Sequence, residues 1–245
     1  MSATSNDIVH KLRQELLLME GYKGPEAGAI DIPVGPLTDA FPNSRFPTGK
    51  LHEFLAPTPQ KAASSGGFIS ALAGALMVKG GNCVWISKRR KIFPPGLTTF
   101  GIAANQVVFC DIHHEKHLLW AAEEALQCKS IAAVVAEIAE ITYIASLRLQ
   151  LAIEDSHVTG FLLRQSAKAL APIASAARWR VSPAPSRSTI PDLRRIGFPS
   201  WTVQLEKVRN GRPGIWDLEW RAGRLQSLLP EKQPLRIVEQ RRKTG

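Results

Sequence analysis

The sequence predicts an α/β fold in which a mainly parallel sheet is flanked by helices and is extended by antiparallel C-terminal strands. Two observations predict it. Between residues 51 and 164, short continuous apolar runs alternate with segments of helical periodicity, as in βαβ units. After residue 175, short strand-like runs are separated by turn residues such as Asn210-Gly211. The earlier runs are continuously apolar because helices cover both faces of a parallel sheet.

The individual elements follow from this pattern in chain order. Residues 6–20 predict a helix because apolar residues recur there at helical spacing, and the Gly- and Pro-rich residues 21–49 predict a linker. The predicted parallel strands span 51–56, 82–87, 106–112, 131–138 and 158–164, and the predicted helices between them span 68–81, 97–102, 115–128 and 141–155. The predicted antiparallel strands span 176–183, 201–209, 214–222 and 223–230.

The pattern divides the chain of 245 residues into three predicted segments. Residues 1–49 hold the first helix and the linker, residues 50–182 form the core, and residues 183–245 form a basic, Trp-rich β extension with a polar tail. Hydrophobic residues make up 44% of the chain, which is enough to bury a core and excludes global disorder.

Composition also indicates where the protein works. Three cysteines are too few for a disulfide framework, and this favours a reducing compartment. The first residues lack the layout of a signal peptide, and no apolar run is long enough to span a membrane. We therefore expect a cytoplasmic protein with no membrane partner.

The net charge of +10 is concentrated at the C-terminal end. Residues 178–245 contain 15 basic and 6 acidic residues, and therefore carry +9 of the total. Such an imbalance indicates an anionic partner, and the candidate contacts with nucleic acid are Arg209 and Arg212 at a predicted turn and Arg241, Arg242 and Lys243 in the tail. A solvated basic face is the alternative for these arginines, whereas the four tryptophans of this region are predicted to be core.

A candidate phosphate loop lies before the first long helix. Ser64, Ser65, Gly66 and Gly67 form a small, glycine-containing sequence whose amides could meet an anion. A working phosphate loop has Lys and Ser/Thr after its last glycine, but Gly67 and Phe68 occupy those positions here. The alternative is a glycine turn that only starts the helix.

Two further groups of polar residues follow predicted strands. Lys88, Arg89, Arg90 and Lys91 lie where open α/β sheets bind ligands, so they predict either a phosphate or DNA contact or a solvated loop. Residues 110–117 contain one Cys and three His, but four ligands across a strand-to-helix joint could hardly all point inward. No metal site is predicted.

Several of these motifs resemble the RecA-type recombinases. The SSGG-F sequence before an apolar helix resembles their phosphate loop, AAVVAE (132–137) resembles their second nucleotide motif, and FLLRQ (161–165) resembles the strand that ends in their switch glutamine, here Gln165. The resemblance covers about residues 50–182, and it implies a RecA-like core.

Within that superfamily the chain most resembles the ImuA family of inducible-mutagenesis accessory proteins. The motifs that carry this resemblance include LHEF, LLWAAEEAL, SLRLQLA and, as the most specific one, KVRNGRPGIWDLEW (207–220). The resemblance implies a role in SOS-linked translesion synthesis beside an ImuB-like Y-family polymerase homologue and an error-prone C-family polymerase, with RecA and single-stranded DNA as further candidate partners. The rival hypotheses are an active RecA-like ATPase and a division inhibitor related to SulA.

The departures from the RecA pattern predict that the protein is not an enzyme. Gly67 and Phe68 replace the Lys and the hydroxyl residue, basic residues 88–90 occupy the position of the catalytic carboxylate, and Ala136, followed by Glu137, occupies that of the aspartate. Phosphoryl transfer depends on these groups to position and neutralise the phosphates. We expect no cofactor. Binding of ATP without hydrolysis at the vestigial loop stays an open alternative.

Overall fold

All nine strands among the described residues lie in one sheet. The computed structural model describes residues 32–166, 171–186 and 197–228. The sheet has the order β3-β2-β4-β5-β1-β6-β7-β8-β9. Strands β1 to β6 run parallel to one another, and the pairs β6–β7, β7–β8 and β8–β9 are antiparallel. The predicted α/β class with antiparallel C-terminal strands is confirmed. The strands are β1 (Leu51–Leu55), β2 (Asn82–Ser87), β3 (Val107–Asp111), β4 (Ile131–Ile138), β5 (Thr159–Arg164), β6 (Ala177–Pro183), β7 (Ser200–Val208), β8 (Gly214–Arg221) and β9 (Arg224–Ser227).

In the described part of the chain, three α-helices cover the two faces of this sheet. Helix α1 (Pro59–Met77) packs on one face, and α2 (Glu115–Gln127) and α3 (Tyr143–Ser156) pack on the other. Short 3-10 helices span Gly35–Ala40, Pro42–Ser44, Pro94–Phe100 and Ala104–Gln106. Among the described residues, no helix is both long and apolar enough to cross a membrane.

Helix α1 begins nine residues earlier than the sequence pattern predicts, so the predicted start at residue 68 is wrong. Thr58 is its N-cap, with its side-chain oxygen accepting a hydrogen bond from the Lys61 N–H at 3.3 Å, and Pro59 occupies the first helical position. Both residue types favour a helix start at these positions, because the cap satisfies an exposed amide and proline has no N–H to satisfy. The glycines at 66 and 67 therefore lie inside the helix, where tertiary packing compensates for their low helix propensity.

Residues 32–49 form part of the core, so their interpretation as a linker is wrong. Leu37, Phe41 and Phe46 are buried, and the Phe46 ring stacks on His52 with a centroid separation of 4.5 Å. Periodicity could not reveal this burial, because 3-10 turns and extended backbone present no regular apolar face. The predicted helix at 6–20 lies outside the described residues.

The antiparallel strands extend the same core as the parallel ones. Trp179, Trp201 and Trp220 are buried on the α1 side of the sheet together with residues of α1 and of the 32–46 segment, as predicted for the tryptophans; Trp216 is half-buried against the same cluster. On the opposite side, the outward residues of β7 and β8 are polar except for Ile215, as in an antiparallel sheet with one solvated face. One apolar cluster thus unites all three predicted segments of the chain.

Candidate functional site at the carboxyl edge of the sheet

The carboxyl ends of the parallel strands bring most of the predicted site residues to one edge. Strand β4 ends beside β2 and β5, and the basic residues 88–91 follow β2 at this edge. Open α/β sheets bind ligands here because the loops and helix N-termini converge on it. The contacts at this edge therefore decide what the predicted residues can do.

The connection between β1 and α1 is too short for a phosphate loop. Only Ala56, Pro57 and Thr58 separate the strand from the helix. Residues 64–67 lie in the second and third turns of α1, where helical hydrogen bonds use the amides that a phosphate would need. The Ser64 hydroxyl donates to the Gln60 carbonyl at 2.9 Å, while the Ser65 hydroxyl is buried without a hydrogen-bond partner among the described residues.

One glycine of this motif, Gly67, serves close packing instead, as does Gly74 two turns later in α1. A Cβ atom on Gly67 would lie 3.3 Å from the Trp201 ring, and a Cβ on Gly74 would overlap the Phe100 carbonyl. The segment Pro94–Phe100 and strand β7 can approach α1 so closely because these positions have no side chain. The small residues of α1 thus explain how the antiparallel extension is attached to the core.

Gln165 lies in a hydrogen-bonded cluster centred on Glu137. The Gln165 Nε2 donates to Glu137 Oε2 at 2.7 Å, and the Trp85 Nε1 donates to the other carboxylate oxygen at 2.8 Å. The Lys91 Nζ completes the cluster by donating to Gln165 Oε1 at 2.8 Å. The structure thus brings together Gln165 and Glu137, whose motifs resemble those of the RecA-type proteins, and the Glu137 carboxylate already accepts from two neutral donors.

The basic residues at 88–91 fold back onto acidic residues of the protein itself. Lys88 Nζ lies 3.2 Å from a Glu115 oxygen, and Arg90 lies 2.9 Å from Asp111 and over the Phe109 ring. Arg89 is exposed and forms no ion pair with a described residue. Because two of the cations are paired with carboxylates and Lys91 bonds Gln165, this loop presents little free positive charge to a phosphate.

Glu115 connects that loop to the end of β4. Its Oε1 accepts from the backbone N–H groups of Ala139 at 3.0 Å and Glu140 at 3.3 Å, while Oε2 accepts from Lys88. Partial burial opposes ionisation of this carboxyl, but the Ala139 amide and Lys88 outweigh it and lower its pKa. The ionised Glu115 therefore links the loop after β2 to the loop after β4 through these hydrogen bonds.

A buried ionic network holds the strand that precedes Gln165. Glu53 on β1 is fully buried and pairs with Arg164 at the end of β5 and with Arg178 on β6, the latter at 2.7 Å. Arg164 also donates to the Ala171 carbonyl at 3.3 Å. The sequence analysis missed this network. A signal was present, since the Glu inside the apolar run LHEFL is predicted to be buried, and a buried charge requires a partner.

The remaining candidate residues lie elsewhere. Arg209 and Arg212 flank the β7–β8 turn at the opposite, amino edge of the sheet. Arg241, Arg242 and Lys243 lie outside the described residues. In the part of the chain that the structure describes, no three His, Cys, Asp or Glu side chains come together as metal ligands would.

Comparison with known proteins assigns the chain to a family. No family model matches it. Protein ImuA of Caulobacter vibrioides, given for two strains, is 34% identical over 191 residues, which cover 73% of this chain and 78% of the relative. The chain belongs to the ImuA family. This confirms the resemblance found in the sequence and associates the chain, at family level, with inducible mutagenesis.

The geometry shows what the carboxyl edge offers in this ImuA-family protein. The connection after β1 lacks a phosphate loop, Glu137 accepts from Trp85 and Gln165, and Glu115 and Asp111 pair with the basic loop. At this edge the polar side chains therefore bond mainly to one another. The sequence alone indicated Glu137 and Gln165, but the contributions of Trp85 and Lys91 become visible only in the structure.

Proposed function

We propose that this ImuA-family protein is a non-catalytic accessory protein of SOS-linked error-prone DNA repair, acting in the bacterial cytoplasm. In this proposal it binds an ImuB-like Y-family polymerase homologue and, directly or through it, an error-prone C-family polymerase. Family membership supports the repair setting. The short β1–α1 connection supports a role without phosphoryl transfer.

An apolar surface on the outside of α3 carries the proposal that the protein works by binding another protein. Helix α3 buries Leu149 and Ile153 against the sheet, yet its opposite side also exposes large apolar residues. Their spacing of i, i+3 and i+7 places them in one stripe along the helix. The α3 stripe consists of Ile144, Leu147 and Leu151, which are 73%, 38% and 63% exposed.

Two more large apolar side chains are exposed on α2 and α3. Tyr143 at the start of α3 and Trp120 on α2 are also more than half exposed. The ion pair between Arg148 and Glu123, at 2.7 Å, joins the two helices beside the stripe and holds their relative position. A stripe of exposed apolar residues marks a protein interface, because exposing apolar side chains to water is unfavourable and the fold of the isolated chain does not need them there. We assign the α3 stripe to the ImuB-like partner.

Co-purification of the purified full-length protein with the ImuB-like partner tests the proposal. Ile144→Ser/Leu151→Ser should reduce retention of the partner at least tenfold, while circular dichroism remains that of the wild type. The matched control is Val78→Ser/Phe93→Ser, which removes two apolar side chains from other surfaces and should leave retention unchanged; they are 81% and 71% exposed, on average more than the pair in the stripe. Equal retention by all three proteins, or equal loss in both variants, would contradict the assignment.

A second measurement tests the non-catalytic part of the proposal. Purified protein with ATP and Mg²⁺ should release phosphate at the rate of a blank. Glu137→Gln is the informative variant, because Glu137 is the carboxylate at the second nucleotide motif. Phosphate release above the blank that this variant abolishes would favour the rival ATPase hypothesis.

A further inference from the structure

We infer that the amino edge of the sheet, opposite the carboxyl-edge network, binds the phosphate backbone of single-stranded DNA. Five exposed basic side chains lie there, and none forms an ion pair with a described residue. Two of them were candidates from the sequence, and the structure adds the other three. This amino-edge cluster consists of Arg45, Lys50, Lys207, Arg209 and Arg212.

Backbone hydrogen bonds bring Lys50 and Arg209 to the same edge. The Arg209 N–H donates to the Ala176 carbonyl at 2.8 Å, and the Ala176 N–H donates to the Leu51 carbonyl at 2.8 Å. Lys50 directly precedes Leu51, so two strand spacings, roughly 10 Å, separate the backbones of these two basic residues. They lie in a row that crosses the strands, although 159 positions separate them in sequence.

The tip of the β7–β8 turn is held against the segment that contains Arg45. The Arg212 N–H donates to the Ala40 carbonyl at 2.8 Å, and Gly211 lies so close to that carbonyl that a Cβ would overlap it. Arg45 follows the adjacent 3-10 helix Pro42–Ser44. Arg209 and Arg212 therefore extend from a turn that is fixed by backbone hydrogen bonds. Binding of an anion there does not require the backbone to be ordered first.

A β-bulge adds Lys207 to the cluster. Arg178 is paired with Lys207 and Trp179 with Leu205, so Glu206 is the extra residue of β7. Such a bulge re-aims the side chains beside it. Glu206 forms an ion pair with Arg180, whereas Lys207 is exposed and has no acidic partner among the described residues.

The two edges of the sheet differ in how their charges are balanced. At the carboxyl edge, the four basic residues 88–91 lie near four acidic residues, namely Asp111, Glu115, Glu137 and Glu140. At the amino edge, Asp39 lies on the segment that carries Arg45, Glu206 directly precedes Lys207, and Asp155 lies near the end of α3. Asp155 pairs with Lys129 and Glu206 pairs with Arg180, and none of the three forms an ion pair with the cluster. Free cations attract a polyanion without first breaking an internal ion pair, so the amino edge is the better site for phosphates.

The row-like arrangement suits an extended strand of phosphates better than the alternatives. Beside the described β7–β8 turn a single large apolar residue, Ile215 on β8, is exposed, whereas segments that insert into lipid present a whole apolar face. The choice of single-stranded DNA over duplex rests on the proposed function, because translesion synthesis acts on a single-stranded template. Binding to duplex DNA or to anionic lipid is an outcome that the test must separate.

Fluorescence anisotropy with a labelled oligothymidine tests this inference on the full-length protein. Arg209→Ala/Arg212→Ala should weaken binding at least tenfold and reduce the slope of log affinity against log salt by about 1.4, or about 0.7 for each phosphate that the protein no longer neutralises. Lys88→Ala/Arg90→Ala removes the same charge from the carboxyl edge and should leave both quantities close to those of the wild type. Circular dichroism checks the fold of each variant.

Several results would overturn the inference: no binding by the wild type, equal losses in the two variants, or a loss confined to Lys88→Ala/Arg90→Ala. It would also fail if only changes at Arg241, Arg242 and Lys243 abolished binding, or if duplex DNA or vesicles containing phosphatidylserine bound more tightly than the oligothymidine. Co-purification with the ImuB-like partner is measured on the same Arg209→Ala/Arg212→Ala protein. Retained partner binding without DNA binding by any form would reject this inference and leave the proposed function intact.

Discussion

At the scale of single residues, His52 shows how burial selects one chemical form of a side chain. Its Nε2 lies 2.8 Å from the Pro47 carbonyl and must donate, while its Nδ1 accepts from the Trp179 indole at 3.4 Å. Only the neutral ring with a proton on Nε2 satisfies both contacts. Burial lowers the pKa of His52 to about 4, although the hydrogen bond to Pro47 opposes this shift.

We predict that His52 makes the fold sensitive to acid. In the unfolded chain its pKa is near 6.5, so the unfolded state binds an extra proton as the pH falls from about 6.5 to about 4. The free energy of unfolding should therefore decrease across this window by about 3 kcal/mol and be fully retained above it. Urea unfolding at several pH values measures this dependence in wild type and in His52→Gln, which should have a shallower slope.

His113→Gln is the matched control for this prediction, because His113 is exposed and its replacement removes a histidine from the surface. Its pH dependence should equal that of the wild type. Identical slopes in all three proteins would show that His52 does not titrate differently in the folded and unfolded states.

At the scale of elements, helix α1 carries glycines with opposite surroundings. A Cβ added to Gly66 would meet no atom within 4 Å, whereas one added to Gly74 would overlap the Phe100 carbonyl. Both residues lie inside the helix, where glycine costs about 1 kcal/mol relative to alanine. The difference between the two positions therefore reports on packing against Phe100 and Ile102.

We predict that alanine has opposite effects at these two positions. Gly66→Ala should raise the free energy of unfolding by up to about 1 kcal/mol, because it gains helix propensity in open space. Gly74→Ala should lower it by about 1–3 kcal/mol, because the helix and the Phe100 segment must separate. Urea unfolding of both variants checks the pair. A destabilised Gly66→Ala protein would mean that residue 66 needs a backbone that only glycine adopts, as in a loop.

At the scale of the whole molecule, the parallel and antiparallel parts depend on each other. Trp179 on β6 is fully buried among Phe54 of β1, Phe68 of α1 and the 3-10 segment around Phe41. Trp201 on β7 also packs on Phe68, edge to face, with ring centroids 5.7 Å apart. Removing the antiparallel strands would expose one flank of this aromatic cluster to water.

We predict that a chain ending at residue 182 does not form a cooperative fold. It lacks β7, β8 and β9, so the inner face of β6 and the glycine face of α1 are left without the residues that cover them. Near-UV circular dichroism and urea unfolding should show an aggregated or molten chain, compared with one sharp transition for the full-length protein. A cooperative transition in the truncated chain would instead show that residues 1–182 are an independent domain.

Local sequence patterns determined much of the architecture. The predicted ranges of β2 and β4 coincide with the observed strands Asn82–Ser87 and Ile131–Ile138, because a strand buried on both faces appears as an uninterrupted apolar run. The antiparallel strands were equally visible, since alternation and turn residues mark a sheet with one solvated face. The motifs of this ImuA-family chain were also readable along the sequence alone.

Only the tertiary structure decided which charges are free and which are paired. The partners of Lys88 and Arg90 are 27 and 21 positions away, and Glu53 meets Arg178 across 125 positions. No periodicity connects such residues, because the topology of the sheet, and not the local chain, sets their distance. For the same reason, the burial of residues 32–49 and the close approach of Trp201 to Gly67 required the packed molecule, because each depends on strands that come much later in the chain.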